Sequence, residues 1–253
     1  MKHVFDYPIA VLVISLAAQW AAAFVGDFLR KRGKPVRGVE HADFEKIVAG
    51  ALTLLALIIG FSFSMAVSRY DLRKTYEEAE ANAIGTEYAR AQLLPSAATE
   101  QIRDLLSKYA DQRISFYRER DPERLKQIDA DTARLQTTLW SAVAGPSKAQ
   151  PTPVAALAVS GMNDVLNSQG FTQAAWWNRV PIGAWALMVL ISIACNLLLA
   201  ASERRAGFAI LLVLPIIVSV SLFLIAEIDS PRSGVIQVVP QNLVAVSKSF
   251  TAP

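Results

Sequence analysis

The residues best suited to chemistry lie in the second of four long apolar runs. Ile47–Ser68 carries Thr53, Ser62, Ser64 and Ser68, with Phe61 and Phe63 among them. One stripe runs Leu57, Phe61, Ser64 and Ser68, at intervals of four, three and four. That spacing keeps residues on one face of a helix. It sets an apolar constriction before hydroxyls that approach the membrane surface. Pores use this combination, with a dewetting collar as gate and polar dipoles in place of lost hydration. Small hydroxyl residues also let helices pack closely in lipid, and both readings stay open for the stripe and for Gln19, Ser192 and Asn196.

A second group closes the fourth run. Glu227 and Asp229 follow it directly, then Pro231 and Arg232. Carboxylates at a helix C-terminus oppose the helix dipole, at a cost of ~0.3–1 kcal/mol each, so a cationic partner is expected. Arg232 is one candidate, and Arg69 and Arg73 beyond the second run are others. The group is then either a salt-bridged cap or an ion-binding site at a pore mouth. Other chemistry is sparse. The chain lacks a P-loop, G-x-G-x-x-G, H-E-x-x-H and G-x-S-x-G. Cys195 sits in an apolar run with no histidine near it in sequence, which reads as a buried inert thiol. His41 lies beside Glu40 and Asp43 and reads as a solvated loop residue. Neither a catalytic set, a metal site nor a cofactor is expected.

The elements that must position these residues follow from composition. The chain has 253 residues, 53% hydrophobic and 19% charged, with a mean hydropathy of +0.33. Soluble domains average about 25% charged residues. The apolar excess and a net charge of only +3 fit both intrinsic disorder and nucleic-acid binding poorly. One cysteine excludes an intramolecular disulfide. The apolar residues are concentrated in Tyr7–Gly26, Ile47–Ser68, Val180–Ser202 and Ala206–Ala226, runs of 20, 22, 23 and 21 residues without charge. Each is long enough to cross a hydrocarbon core of ~30 Å as a helix, where every backbone group must be paired within the segment. Ala21-Ala22-Ala23 resembles a signal-peptide cleavage site, but Asp6 stands where a positive n-region belongs; the first helix is expected to be retained. Tyr7, Trp176, Trp177 and Trp185 suit the membrane interface. Pro215 should kink the fourth span.

Between Arg69 and Arg179 lie 111 residues of ordinary polarity. Helical periods dominate them. Ser96, Asp121 before Pro122, and Thr152 before Pro153 read as helix starts, and residues 145–151 read as a loop. Ile102, Leu105, Leu106, Tyr109, Phe116 and Tyr117 form one packing stripe; Leu125, Ile128, Leu135 and Leu139 form another. No proline interrupts Ile47–Leu94, so one helix should leave the membrane and enter this domain, 48 residues reaching about 72 Å. Gly85 is its weakest point. Val235–Val239 is β-prone and Pro240 stops it, which suggests a short extended arm.

The expected fold is therefore all-α: an integral membrane protein with four transmembrane helices and a helical extramembrane domain inserted between the second and third. The divisions are 1–68, 69–179, 180–229 and a tail, 230–253. Four spans put both termini and the inserted domain on one side. The positive-inside count gives eight for the short-loop side, with Arg30, Lys31, Arg32, Lys34, Arg37, Lys46, Arg204 and Arg205. The other side has six, with Lys2, Arg69, Arg73, Lys74, Arg179 and Arg232. This leans toward short loops inside.

Phe61-Ser62-Phe63-Ser64-Met65-Ala66, Ser68-Arg69-Tyr70-Asp71, Ala81-Asn82-Ala83-Ile84-Gly85-Thr86 and Asp229-Ser230-Pro231-Arg232-Ser233-Gly234 together resemble the bacterial bestrophin-like membrane proteins (DUF4239), a family of largely unknown function. Asn82, Gly85 and Pro231 are motif positions of that resemblance, which covers roughly residues 8–245. It implies kinship with bestrophins, which are pentameric anion channels whose second transmembrane helix lines the pore with an apolar neck. That role would fall on the Leu57–Phe61 region. It also implies a bacterial inner-membrane location, a homo-oligomer, and an inserted domain in the cytosol. The chain lacks an obvious calcium clasp of clustered acids. The expectation is a homo-oligomeric, anion-conducting ion channel and not an enzyme, its partners being lipid, ions and copies of itself. The alternative is a helical sensor or scaffold on a membrane anchor, acting through a partner protein.

Overall fold

The computed structural model describes residues 4–32, 41–202 and 208–251; the side chains of 41–45, 202 and 208–211 are outside the description. Lys2, Lys34, Arg37, Arg204 and Arg205 of the charge count, and the side chain of His41, fall outside the described residues. The elements are α1 (Pro8–Arg32), α2 (His41–Arg90), α3 (Ser96–Arg118), α4 (Pro122–Ala149), α5 (Pro153–Trp177), α6 (Ile182–Ser202), α7 (Phe208–Asp229) and α8 (Gln241–Thr251). No strand occurs among the described residues. Among the described residues, four helical segments are long and apolar enough to cross a membrane. The chain divides into two compact units, 1–69 with 179–236 and 70–178 with 237–253. The helical unit thus includes residues 237–253 of the tail, while 230–236 belong to the first unit.

The first unit packs α1 against α6 and α7. Small residues allow the approach: a Cβ on Gly26 would collide with the Leu197 carbonyl oxygen and lie 2.8 Å from the Ala200 Cβ. Polar groups then join the helices. Gln19 Nε2 donates to Ser192 Oγ at 2.5 Å, and Asn196 Nδ2 donates to Gln19 Oε1 at 2.6 Å. All three residues are buried, so they act as interhelical ties, a device worth about 0.6–2 kcal/mol in membranes. Cys195 is buried beside them in sequence. Trp185 is buried and stacked on Phe5 with centroids 4.6 Å apart. The flat ring fills the space between α6 and the turn preceding α1.

The second unit is a bundle around Ile84, Ile102, Leu106, Tyr109, Leu139 and Met162, all fully buried. Its helix starts are built as their residues dictate. Asp121 Oδ1 accepts from the Glu123 N–H at 2.8 Å, and Thr152 Oγ1 accepts from the Ala155 N–H at 3.0 Å, each ahead of a proline whose missing N–H costs nothing there. Ser96 begins α3, but Pro95 occupies the cap position and no side chain caps it. α4 continues through Gly145 and Pro146 to Ala149, where a loop was expected; Pro146 lies near the helix end, and Gln150 N still donates to its carbonyl at 2.9 Å. α2 passes through Gly85 unbroken, with Val246 of α8 packed at 3.7 Å from where its Cβ would be.

The tail adds a helix that the sequence reading did not foresee. Residues 235–239 have no regular structure, and α8 follows. Glu77 captures its start: Oε1 accepts from the Leu243 N–H at 2.9 Å and Oε2 from Asn242 Nδ2 at 2.7 Å. A carboxylate at a helix N-terminus complements the dipole. Phe250 stacks on Tyr88 at 3.8 Å, and Arg103 lies over the same Tyr88 ring at 4.7 Å.

Candidate functional site

The membrane half of α2 has two distinct faces. Val48, Leu55, Ser62 and Ala66 are buried. Leu57, Phe61, Ser64 and Ser68 are all exposed, Phe61 at 70%. A Cβ on Gly50 or Gly60 would meet nothing within 4 Å. Among the four spans α2 is the least covered, with 17% of its most apolar window buried against 28% for α1 and 50% for the α7 segment. The four stripe residues thus share an open face, and Ser62 lies on the buried one. Thr53 Oγ1 donates back to the Ala49 carbonyl at 2.9 Å, a local bond that leaves its oxygen able to accept.

The acids after the fourth span are turned inward. Asp229 is 2% exposed. Its Oδ1 accepts from the Val180 N–H at 3.0 Å and its Oδ2 from Arg179 Nε at 3.1 Å. Arg179 Nη2 also reaches Asp6 Oδ1 at 3.0 Å and donates to Ser230 Oγ at 3.1 Å. Ser230 Oγ in turn donates to the Phe5 carbonyl at 3.1 Å. Arg179, which was not among the expected partners, thus meets Asp229. The Arg179 cation offsets the dipole cost at the end of α7, and Asp229, by accepting from the Val180 N–H, fixes the chain entering α6. Glu227 Oε2 accepts from the Val235 N–H at 2.6 Å. A Cβ on Gly234 would lie 2.6 Å from that oxygen and 2.7 Å from the Glu227 carbonyl. The Asp229–Gly234 segment is therefore a turn folded tightly over the end of α7, with Pro231 and Arg232 inside it. The geometry is that of a structural cap.

The remaining candidates separate by unit. Arg69 is half-buried at the edge of the membrane unit, and Arg73 is 1% exposed within the helical unit. Asn82 is exposed on α2.

Sequence reasoning missed a buried ion pair in the helical unit. Arg113 Nε donates to Glu80 Oε1, and both side chains are fully buried. Glu80 Oε2 also accepts from Thr172 Oγ1 at 3.0 Å and the Tyr117 hydroxyl at 3.3 Å. Arg113 lies over the Phe116 ring at 4.4 Å. Burial pushes the Tyr109 and Tyr117 phenols above their ordinary range, and the Glu80 charge adds to the shift. The available signal was Arg113 itself, a charge at a core position of the Tyr109–Phe116 stripe.

This architecture defines a multi-pass α-helical membrane protein in which residues 70–178 and 237–253 form a second helical unit. The Bestrophin-like domain matches residues 15–243, and the chain belongs to that family. Crystal structures of a bacterial bestrophin homologue from Klebsiella pneumoniae share the fold. One point variant superposes with a TM-score of 0.68 at 14% identity, over 96% of this chain and 94% of that one. Another crystal structure of the homologue gives 0.64 at 17% identity, over 96% and 95%. No curated protein matches the sequence.

Proposed function

We propose that this protein is a homo-oligomeric ion channel, anion-conducting, with α2 of each copy arranged around the axis. The observation that carries the reading is the open stripe Leu57, Phe61, Ser64, Ser68 on the least covered span. One protomer has no second wall for that face, so a pathway requires several copies. Phe61 would form the apolar collar. Ser64 and Ser68 offer hydroxyl donors to an anion that has shed water, and the membrane half of the face carries no carboxylate. Membership of the bestrophin-like family supports conduction in general.

The test is chloride flux into liposomes holding the purified protein, compared with Phe61→Ala. Trimming the ring widens the collar and should raise flux several-fold. No flux in either protein, across a range of pH and calcium, contradicts the proposal and favours a membrane-anchored sensor or scaffold.

A further inference from the structure

Three acids of α2 face the interior of the helical unit, and one differs from the others. Glu77 is bonded to the start of α8, and Glu80 to Arg113, Tyr117 and Thr172. Glu87 is equally buried, with no exposed surface, yet neither of its oxygens has a hydrogen-bond partner. A buried carboxylate without donors strongly favours its neutral form. Opposite it stands Gly161 of α5. A Cβ there would collide with Glu87 Oε2 and sit 2.6 Å from Arg90 Nη1. The glycine thus makes room for both side chains where the two helices cross.

The charged groups facing Glu87 are Arg90 on its own helix and Asp164 on α5. Burial is the dominant influence; Arg90 favours the ion and Asp164 opposes it, and the carboxyl is pushed up to about 8. We propose that Glu87 is a proton-binding site at the α2–α5 crossing, neutral while seated against Gly161 and turned toward Arg90 when its proton is lost, which loosens the crossing. The step is an acid dissociation: the O–H bond breaks, the proton passes to water, and the electron pair stays on the carboxylate. Arg90, three residues on, then attracts the new charge while Asp164 repels it. The site stands independently of any conduction by the membrane unit.

The sign follows from linkage. An unfolded glutamate titrates near ~4.3, so between that value and about 8 the folded chain binds the extra proton. Stability falls as pH rises through this window and levels off above it.

The test uses full-length wild-type protein and Glu87→Gln in nanodiscs, from pH ~5 to ~10. Infrared spectra of the wild type should show a protonated-carboxyl C=O band at neutral pH that fades with a midpoint near 8 and is missing from Glu87→Gln. Hydrogen exchange of α5, corrected for intrinsic rate, should speed up several-fold across the same midpoint in the wild type only. Equal bands in the two proteins at neutral pH, or equal pH profiles of α5 exchange, would overturn the proposal. If Glu87→Gln fails to fold, the wild-type spectrum decides alone, and no acid band titrating in that range overturns it.

Discussion

Replacing Arg113 with methionine is the most demanding test of how the helical unit is held together. Methionine keeps most of the volume and removes the charge. In the wild type Arg113 and Glu80 are both fully buried, and Glu80 keeps only two neutral donors, Thr172 Oγ1 at 3.0 Å and the Tyr117 hydroxyl at 3.3 Å, once the guanidinium is gone. Breaking a buried pair from one side costs about 3–5 kcal/mol, because a charge is left uncompensated. The cation–π contact with Phe116 at 4.4 Å adds ~0.5–2 kcal/mol. Each kcal/mol lowers the melting temperature of a domain of this size by roughly 2–4 °C. Arg113→Met should therefore melt roughly 7–28 °C below the wild type in a mild detergent, read by circular dichroism. The double variant Glu80→Gln, Arg113→Met should recover most of the loss, since no charge is then buried. A single variant melting within a few degrees of the wild type, or a double variant no better than the single, would refute the reasoning.

Two further outcomes follow from the membrane unit. Gly26→Ala forces a methyl into the Leu197 carbonyl, a backbone atom that cannot swing aside; a loss of about 1–3 kcal/mol is expected, seen as a lower midpoint in detergent unfolding. Asp229→Asn keeps an acceptor for Val180 but removes the charge facing Arg179. A loss of ~1.5–3 kcal/mol in the same assay is expected, with Asp229→Ala costing more.

The spans were legible because lipid imposes one rule on every residue of a run, and length with apolarity states it fully. The helix starts at Asp121 and Thr152 were legible for a related reason: the cap and the following proline act within four residues. The stripe on α2 could be read as a face but not as an open one. Openness depends on what α1, α6 and α7 cover, and the long-range packing that decides it leaves no local mark. The same limit explains Arg179. Its partners Asp6 and Asp229 are far from it in sequence, and no local pattern singles it out from Arg232, Arg69 and Arg73. α8 was missed because Val235–Val239 carries a strand-like composition, whereas the helix after Pro240 is held by Glu77, more than 160 residues earlier. Nothing in the sequence separates Glu80 and Glu87 from the other charges of α2, whereas Arg113 is marked by its place in the Tyr109–Phe116 stripe; burial distinguishes all three.

The central proposal, that α2 turns its Phe61 face to an aqueous pathway, is tested most directly by thiol accessibility. In a Cys195→Ser background, Phe61→Cys, Ser64→Cys and Ser62→Cys are reconstituted into planar bilayers and exposed to a charged, membrane-impermeant thiol reagent. The reagent reacts with thiols in water and not with thiols facing lipid or packed protein. Current should be blocked in Phe61→Cys and Ser64→Cys and be unchanged in Ser62→Cys, whose position is buried in the protomer. Block at Ser62→Cys with the other two untouched, or the absence of current in all three, would contradict it.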